Sequence, residues 1–85
     1  MNTPHIRTEL PGPNARALLA RDAEVTSPSY PRGYPFAMSH GRGVEVWDVD
    51  GNRFLDFAAG IAVCSTGHCH PDVVQAVKSA AERFI

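Results

Sequence analysis

The dipeptide Asp50-Gly51 constrains this chain more than any other feature. Glycine reaches the positive φ of a tight hairpin, so this pair between two apolar-bearing runs predicts antiparallel strands. Before it, Val44, Glu45, Val46, Trp47, Asp48 and Val49 alternate apolar and polar, apart from Trp47, as a half-buried strand does. After it, residues 53–57 return as the partner strand. Residues 36–40 read as a further short strand and 41–43 as its turn, so the expected unit is a three-stranded antiparallel meander. Asp48, Asp50 and Asn52 suit the turn because their short side chains bond nearby backbone. They also alternate like the start of a calcium loop. The glycine comes too early, however, and Ala59 stands at the twelfth position where a glutamate is needed, so calcium is rejected.

The flanks read as helices and loops. Residues 1–12 hold Pro4, Pro11 and Gly12 without periodicity, which predicts an extended arm. Pro13 suits the first position of a helix, where its missing N–H is harmless. Ala15, Leu18, Leu19 and Ala23 then recur at helical spacing until Val25 and Thr26. The stretch SPSYPRGYP at 27–35 excludes a regular element through its prolines and glycine, and carries both tyrosines, Tyr30 and Tyr34. Residues 58–67, AAGIAVCSTG, form a small-residue loop that other backbone can approach closely. His70-Pro71-Asp72 opens a second helix, with the Asp72 carboxylate at the positive end of the dipole. Its apolar stripe is Val73, Val74, Val77, Ala80, Ala81 and Phe84, and no stop signal precedes Ile85. Helix, meander, loop and helix in that order make an α+β segment, not a run of parallel βαβ units. Two apolar stripes in 85 residues lack partners, which leads us to expect a truncated chain.

Composition excludes several classes. The net charge of -1 offers no basic footprint for nucleic acid. No apolar run spans a bilayer, and the first residues lack a signal-peptide layout, so a cytoplasmic location is expected. Cys64, His68, Cys69 and His70 are the obvious metal candidates, but crowding into residues 64–70 keeps most of them from pointing at one ion. A Cys64–His68 hydrolase dyad has neither an orienting third group nor oxyanion donors in the sequence. Asp56, between Leu55 and Phe57, reads as a strand-face carboxylate or one paired with Arg53 or backbone amides. Trp47 reads as a packing residue.

Taken together, VWDVDGNRFLDFAAGIAVCSTGHCHPDVVQAV resembles the N-terminal region of class III (ω-amino acid) aminotransferases, a pyridoxal-phosphate (PLP) family. The leader PGPNARALLARD and the loop SPSYPRGYP resemble its acetylornithine/4-aminobutyrate aminotransferase-like subgroup, some members of which racemise amino acids. The resemblance covers about residues 11–85. It implies a type I PLP-dependent transferase fold, with residues 1–85 as the N-terminal part of the small domain and the large cofactor-binding domain outside this chain. It implies a homodimer acting on amino-acid and 2-oxo-acid substrates. Ile61 falls where 4-aminobutyrate transaminases hold an isoleucine against the substrate and ornithine enzymes a tyrosine, so substrate binding is expected there. Tyr30 and Tyr34 lie near the place of a substrate-contacting tyrosine in ornithine enzymes, but the register differs and neither is assigned that role. The Schiff-base lysine and the phosphate-binding turn of the family lie beyond Ile85. Lys78, the lone lysine, does not match it. The chain by itself is therefore expected to be inactive. The rival readings are an amino-acid racemase of the same fold and a free-standing protein-binding module.

Overall fold

The computed structural model describes residues 3–29 and 31–85. Helix α1 spans Pro13–Val25, strands β1, β2 and β3 span Met38–Arg42, Glu45–Asp48 and Arg53–Leu55, a short turn α2 spans Ala59–Ala62, and helix α3 spans Pro71–Ala81. The strands form an antiparallel sheet in the order β1-β2-β3, the expected meander. Val46 faces Gly41 on one side and Phe54 on the other, and a bulge shifts the β1 register between Met38 and His40.

The first turn sits two residues later than expected. Arg42 pairs with Glu45, leaving Gly43 and Val44 as the connection, with Gly43 at φ +60°. Gly41 lies inside β1 instead. A Cβ there would fall 2.8 Å from Met38 Cε and 2.9 Å from the His68 ring, so its bareness serves close packing, not turning. The second turn is the four-residue loop 49–52, in which Gly51 N–H donates to the Asp48 carbonyl at 3.2 Å.

Three polar residues in and beside that loop organise the N-terminal half. The Asp48 carboxylate is buried and accepts from the amides of Asp50 and Asn52 at 2.9 and 2.8 Å. The Asn52 side chain is 0 % exposed. Its Oδ1 accepts from the amides of Arg7 and Thr8, and its Nδ2 donates to Thr8 Oγ1 at 2.8 Å and Asp48 Oδ2 at 2.9 Å. The extended arm is thereby fastened to the hairpin, and His5 exchanges two backbone hydrogen bonds of 2.8 Å with Arg53. Asp50 reaches further. Gly12, the N-cap of α1, has no side chain to satisfy the free amides of the first turn. Asp50 caps the helix from across the fold, accepting from Asn14 N and Ala15 N at 2.9 Å each. A Cβ on Gly12 would stand 2.4 Å from the Asp50 carboxyl carbon, so glycine is required there. The acids of the loop thus do the turn chemistry expected of them, and Asp50 adds a long-range cap.

The loop at 27–35 is tied to α1 by a two-pronged ion pair: Arg32 Nε and Nη2 donate to the two Asp22 carboxylate oxygens at 2.9 and 2.8 Å. That guanidinium, with the Thr26 hydroxyl, lowers the Asp22 pKa to about 2. Tyr34 leads an aromatic chain through Phe36 (6.3 Å between centroids) to Phe54 (5.4 Å, edge-on). Tyr30 lies outside the described residues. Trp47 packs as expected, stacked at 4.5 Å on His40.

Helix α3 begins as expected, with the His70 ring accepting from Asp72 N at 3.2 Å and Pro71 in the first turn. Its end differs from the expectation. The helix stops at Ala81, where the Arg83 amide bonds the Ala80 carbonyl at 2.9 Å in a tightened last turn, so Phe84 lies beyond the helix that the stripe was expected to include. Among the described residues only Ala15 and Val46 are buried hydrophobics, and neither α1 nor α3 lays an extended face on the sheet.

Candidate functional site

Where β3 ends, the chain crosses beneath the 43–44 turn. Asp56 N–H donates to the Val44 carbonyl at 2.8 Å, and Gly43 and His68 exchange reciprocal backbone bonds of 2.9 and 2.8 Å. Close approach here depends on Gly67 at φ +92°, where a Cβ would meet Gly43 Cα at 3.0 Å. Between these segments lies an open hollow of about 180 Å³, lined by Val44, Asp56, Ala59, Cys64, Ser65 and His68 among others.

Asp56 and His68, both on its lining, are joined by a hydrogen bond, Nε2 to Oδ2 at 2.6 Å. The other carboxylate oxygen, Oδ1, accepts from Ala58 N at 3.0 Å and Ala59 N at 2.9 Å. The His68 hydrogen bond, then the Ala59 amide, hold the Asp56 carboxyl below the usual carboxylate range, against the partial burial that pushes it up. Asp56 is thus an anion held in place, orienting one histidine nitrogen.

Immediately beyond, the backbone turns the wrong way. Ala59, Gly60, Ile61 and Ala62 all have positive φ, from 54° to 65°, which makes α2 a single left-handed turn. For L-residues other than glycine this costs on the order of 1–2 kcal/mol each. Local bonds close it: Ala62 N–H to the Ala58 carbonyl at 3.0 Å and Cys64 N–H to the Ala59 carbonyl at 2.8 Å, with Ser65 Oγ donating to the Ala62 carbonyl. The turn presents apolar side chains to solvent, with Phe57 87 %, Ile61 93 % and Val63 82 % exposed.

Comparison with known proteins places this arrangement. The family model for class III aminotransferases matches residues 27–85. The chain belongs to that family. Over 52 residues, 61 % of this chain and 13 % of the relative, it is 56 % identical to the acetylornithine aminotransferase of Caldanaerobacter subterraneus. Over 83 residues, 96 % of the chain and 18 % of the relative, it is 42 % identical to an alanine/serine racemase of Pyrococcus horikoshii. An ornithine aminotransferase structure from Toxoplasma gondii, with PLP partly occupying its active site, superposes with a TM-score of 0.72 at 39 % identity, covering 81 % of this chain and 16 % of that one. The chain therefore has the fold of the corresponding segment of these enzymes. It spans less than a fifth of the length of the relatives it matches.

Against that family, the candidate residues sort clearly. Ile61 stands at the crest of the left-handed turn, exposed and outside the hollow. Asp56 bonds the backbone amides, as one expectation had it, but its side-chain partner is His68, whereas Arg53 Nε donates to the Thr3 carbonyl. Sequence reading missed the Asp56–His68 pair because its members lie twelve positions apart, and no periodicity reports such a contact. The signals it did offer were a carboxylate between Leu55 and Phe57 and a histidine weighed only against metal and Cys64. No Cys64–His68 dyad forms, since His68 Nε2 is held by Asp56 and no hydrogen bond joins it to Cys64. Both thiols are free, Cys64 half-buried and Cys69 exposed at φ 56°. Among the described residues, no three side chains of metal-ligating type converge. Lys78, the lone lysine, lies exposed on α3 and does not line the hollow, so among the described residues none is placed there as a covalent anchor for PLP. No helix among the described residues is long and apolar enough to cross a membrane.

Proposed function

We propose that this chain is the N-terminal part of the small domain of a PLP-dependent aminotransferase, a homodimeric cytoplasmic enzyme that moves an amino group from an amino acid to a 2-oxo acid. The amino donor on this reading is acetylornithine, 4-aminobutyrate or a similar ω-amino compound. The observation that supports it best is the family match over residues 27–85, joined to 56 % identity with an acetylornithine aminotransferase. In such an enzyme PLP acts as the electron sink at the substrate Cα. The residues that would hold it belong to the large domain, and this chain contributes a wall. Its left-handed turn would set Ile61 against the substrate, and Asp56 and His68 would brace that wall from behind.

The racemase reading is kept because the match to the Pyrococcus racemase runs through 96 % of this chain, leader included. One experiment separates them. The uninterrupted reading frame containing these residues is expressed, loaded with PLP and given acetylornithine, 4-aminobutyrate or alanine, with and without 2-oxoglutarate. Amino transfer that requires the oxo acid is the expected result. Inversion of the amino acid without any oxo acid would establish the racemase, and turnover of neither kind would remove the enzyme reading.

A further inference from the structure

The exposure of Ile61 is at odds with the backbone that carries it. A strained turn persists only where its surroundings over-determine it, and exposed apolar side chains do not select a costly conformation by themselves. Bonds from the Ala62 and Cys64 amides and the Ser65 hydroxyl close the turn itself, and at its entrance the restraint comes from one side chain. Asp56 Oδ1 takes both amides that lead into the turn, those of Ala58 and Ala59. Asp56 Oδ2 is fixed in turn by His68, whose own backbone is clasped on both its N–H and its carbonyl by Gly43. A continuous line of hydrogen bonds therefore runs from the 43–44 turn through His68 and Asp56 to the base of the Ile61 loop.

The geometry points to Asp56 and His68 as a positioning pair for substrate recognition: they hold the left-handed turn 59–62 so that Ile61 stands as a pre-set apolar contact for the carbon chain of the amino donor. This rests on the aminotransferase reading above. A contact that is ordered before the substrate arrives loses little freedom on binding, so the pair acts on affinity for the donor. Neither residue needs to touch the reacting atoms. A staple of merely structural importance would instead lower the amount of folded enzyme, and with it kcat, leaving KM alone.

The test uses the full-length, PLP-loaded enzyme with Asp56→Ala, Asp56→Asn, His68→Ala and the double alanine variant. Amide hydrogen exchange across 58–62 is measured beside KM and kcat for the amino donor. Loss of a charged hydrogen-bond acceptor predicts exchange about tenfold to a hundredfold faster in Asp56→Ala, KM raised about tenfold and kcat within about twofold of the parent. Asp56→Asn, which keeps an oxygen for the two amides, restores most of the donor affinity and carries the test if the alanine variant fails to fold. The double variant is no worse than Asp56→Ala, because the pair acts as one unit. Unchanged exchange in all variants overturns the proposal, as does faster exchange with KM unmoved. A parent enzyme that turns over no amino acid overturns the aminotransferase reading and the substrate role with it, and is recognised in the parent and not in the variants.

Discussion

Two loops of this chain invert each other. At 48–52, polar side chains are inside: Asp48 and Asn52 are buried, and no buried side-chain polar atom among the described residues lacks a partner. At 57–63, apolar side chains are outside, and the backbone is left-handed for four residues. The first loop satisfies itself with bonds drawn from its own hairpin, the arm and α1, so it gains nothing from another surface. The second loop buries little and holds a costly shape, the signature of a surface built for contact and not for its own stability. One loop joins two strands of the meander and the other follows its last strand, and they can be disturbed separately.

The largest effect that would test this division is Asn52→Ala. It removes an amide with four partners in a fully buried position and leaves the Arg7 and Thr8 amides unsatisfied, which costs about 3 kcal/mol. Urea unfolding should show it, and a loss below about 1 kcal/mol would mean that water replaces the side chain with ease. Asp50→Ala comes next, at about 1 kcal/mol, the ordinary worth of a helix cap. Its loss should appear as fraying of α1 in amide exchange, confined to the first turn around Asn14 and Ala15.

Acid acts on both halves in the same direction. The folded-state pKa values of Asp22 and Asp56 lie below those of the unfolded chain. Their contributions are therefore present in full above the ordinary aspartate pKa of about 4 and are lost as pH falls through the folded values, for Asp22 at about 2. Following the carboxyl carbons by NMR on acidification should show both midpoints below the ordinary value, and Arg32→Ala should move that of Asp22 upward. The smallest effect belongs to the exposed loop. Ile61→Ser should leave stability within about 0.5 kcal/mol of the parent, since a nearly fully exposed side chain has little packing to lose. A larger loss would show that Ile61 supports its own turn and would blur the contrast between the loops.

Local chemistry was the readable part of this fold. Asp50-Gly51 marks the hairpin, Pro13 and Pro71 mark helix starts, and the alternation at 44–49 marks a strand, because each reports on backbone within a few residues. The family resemblance was legible for the same reason, as a contiguous run. What stayed hidden depends on distance along the chain. Nothing near Gly12 announces that its helix is capped by Asp50, and nothing near Asp56 announces His68. Gly41 and Gly43 look alike in sequence, yet one makes room for His68 and the other makes the turn, which displaced the expected strand by two residues. The left-handed turn was the least visible of all. Gly60 is the only residue in it that favours such a backbone, and the bonds that close and enter it come from Ser65 and Asp56, outside the turn.

The bond from Thr8 to Asn52 spans 44 residues. A growing chain therefore exposes its arm and first helix before the side chain that fastens them has been made. At a synthesis rate of about 5–20 residues per second the wait is roughly 2–9 s. Throughout that interval α1 lacks its cap as well, since Asp50 arrives only two residues earlier than Asn52. The arm and the helix cap are thus set in place late, once the hairpin loop has emerged.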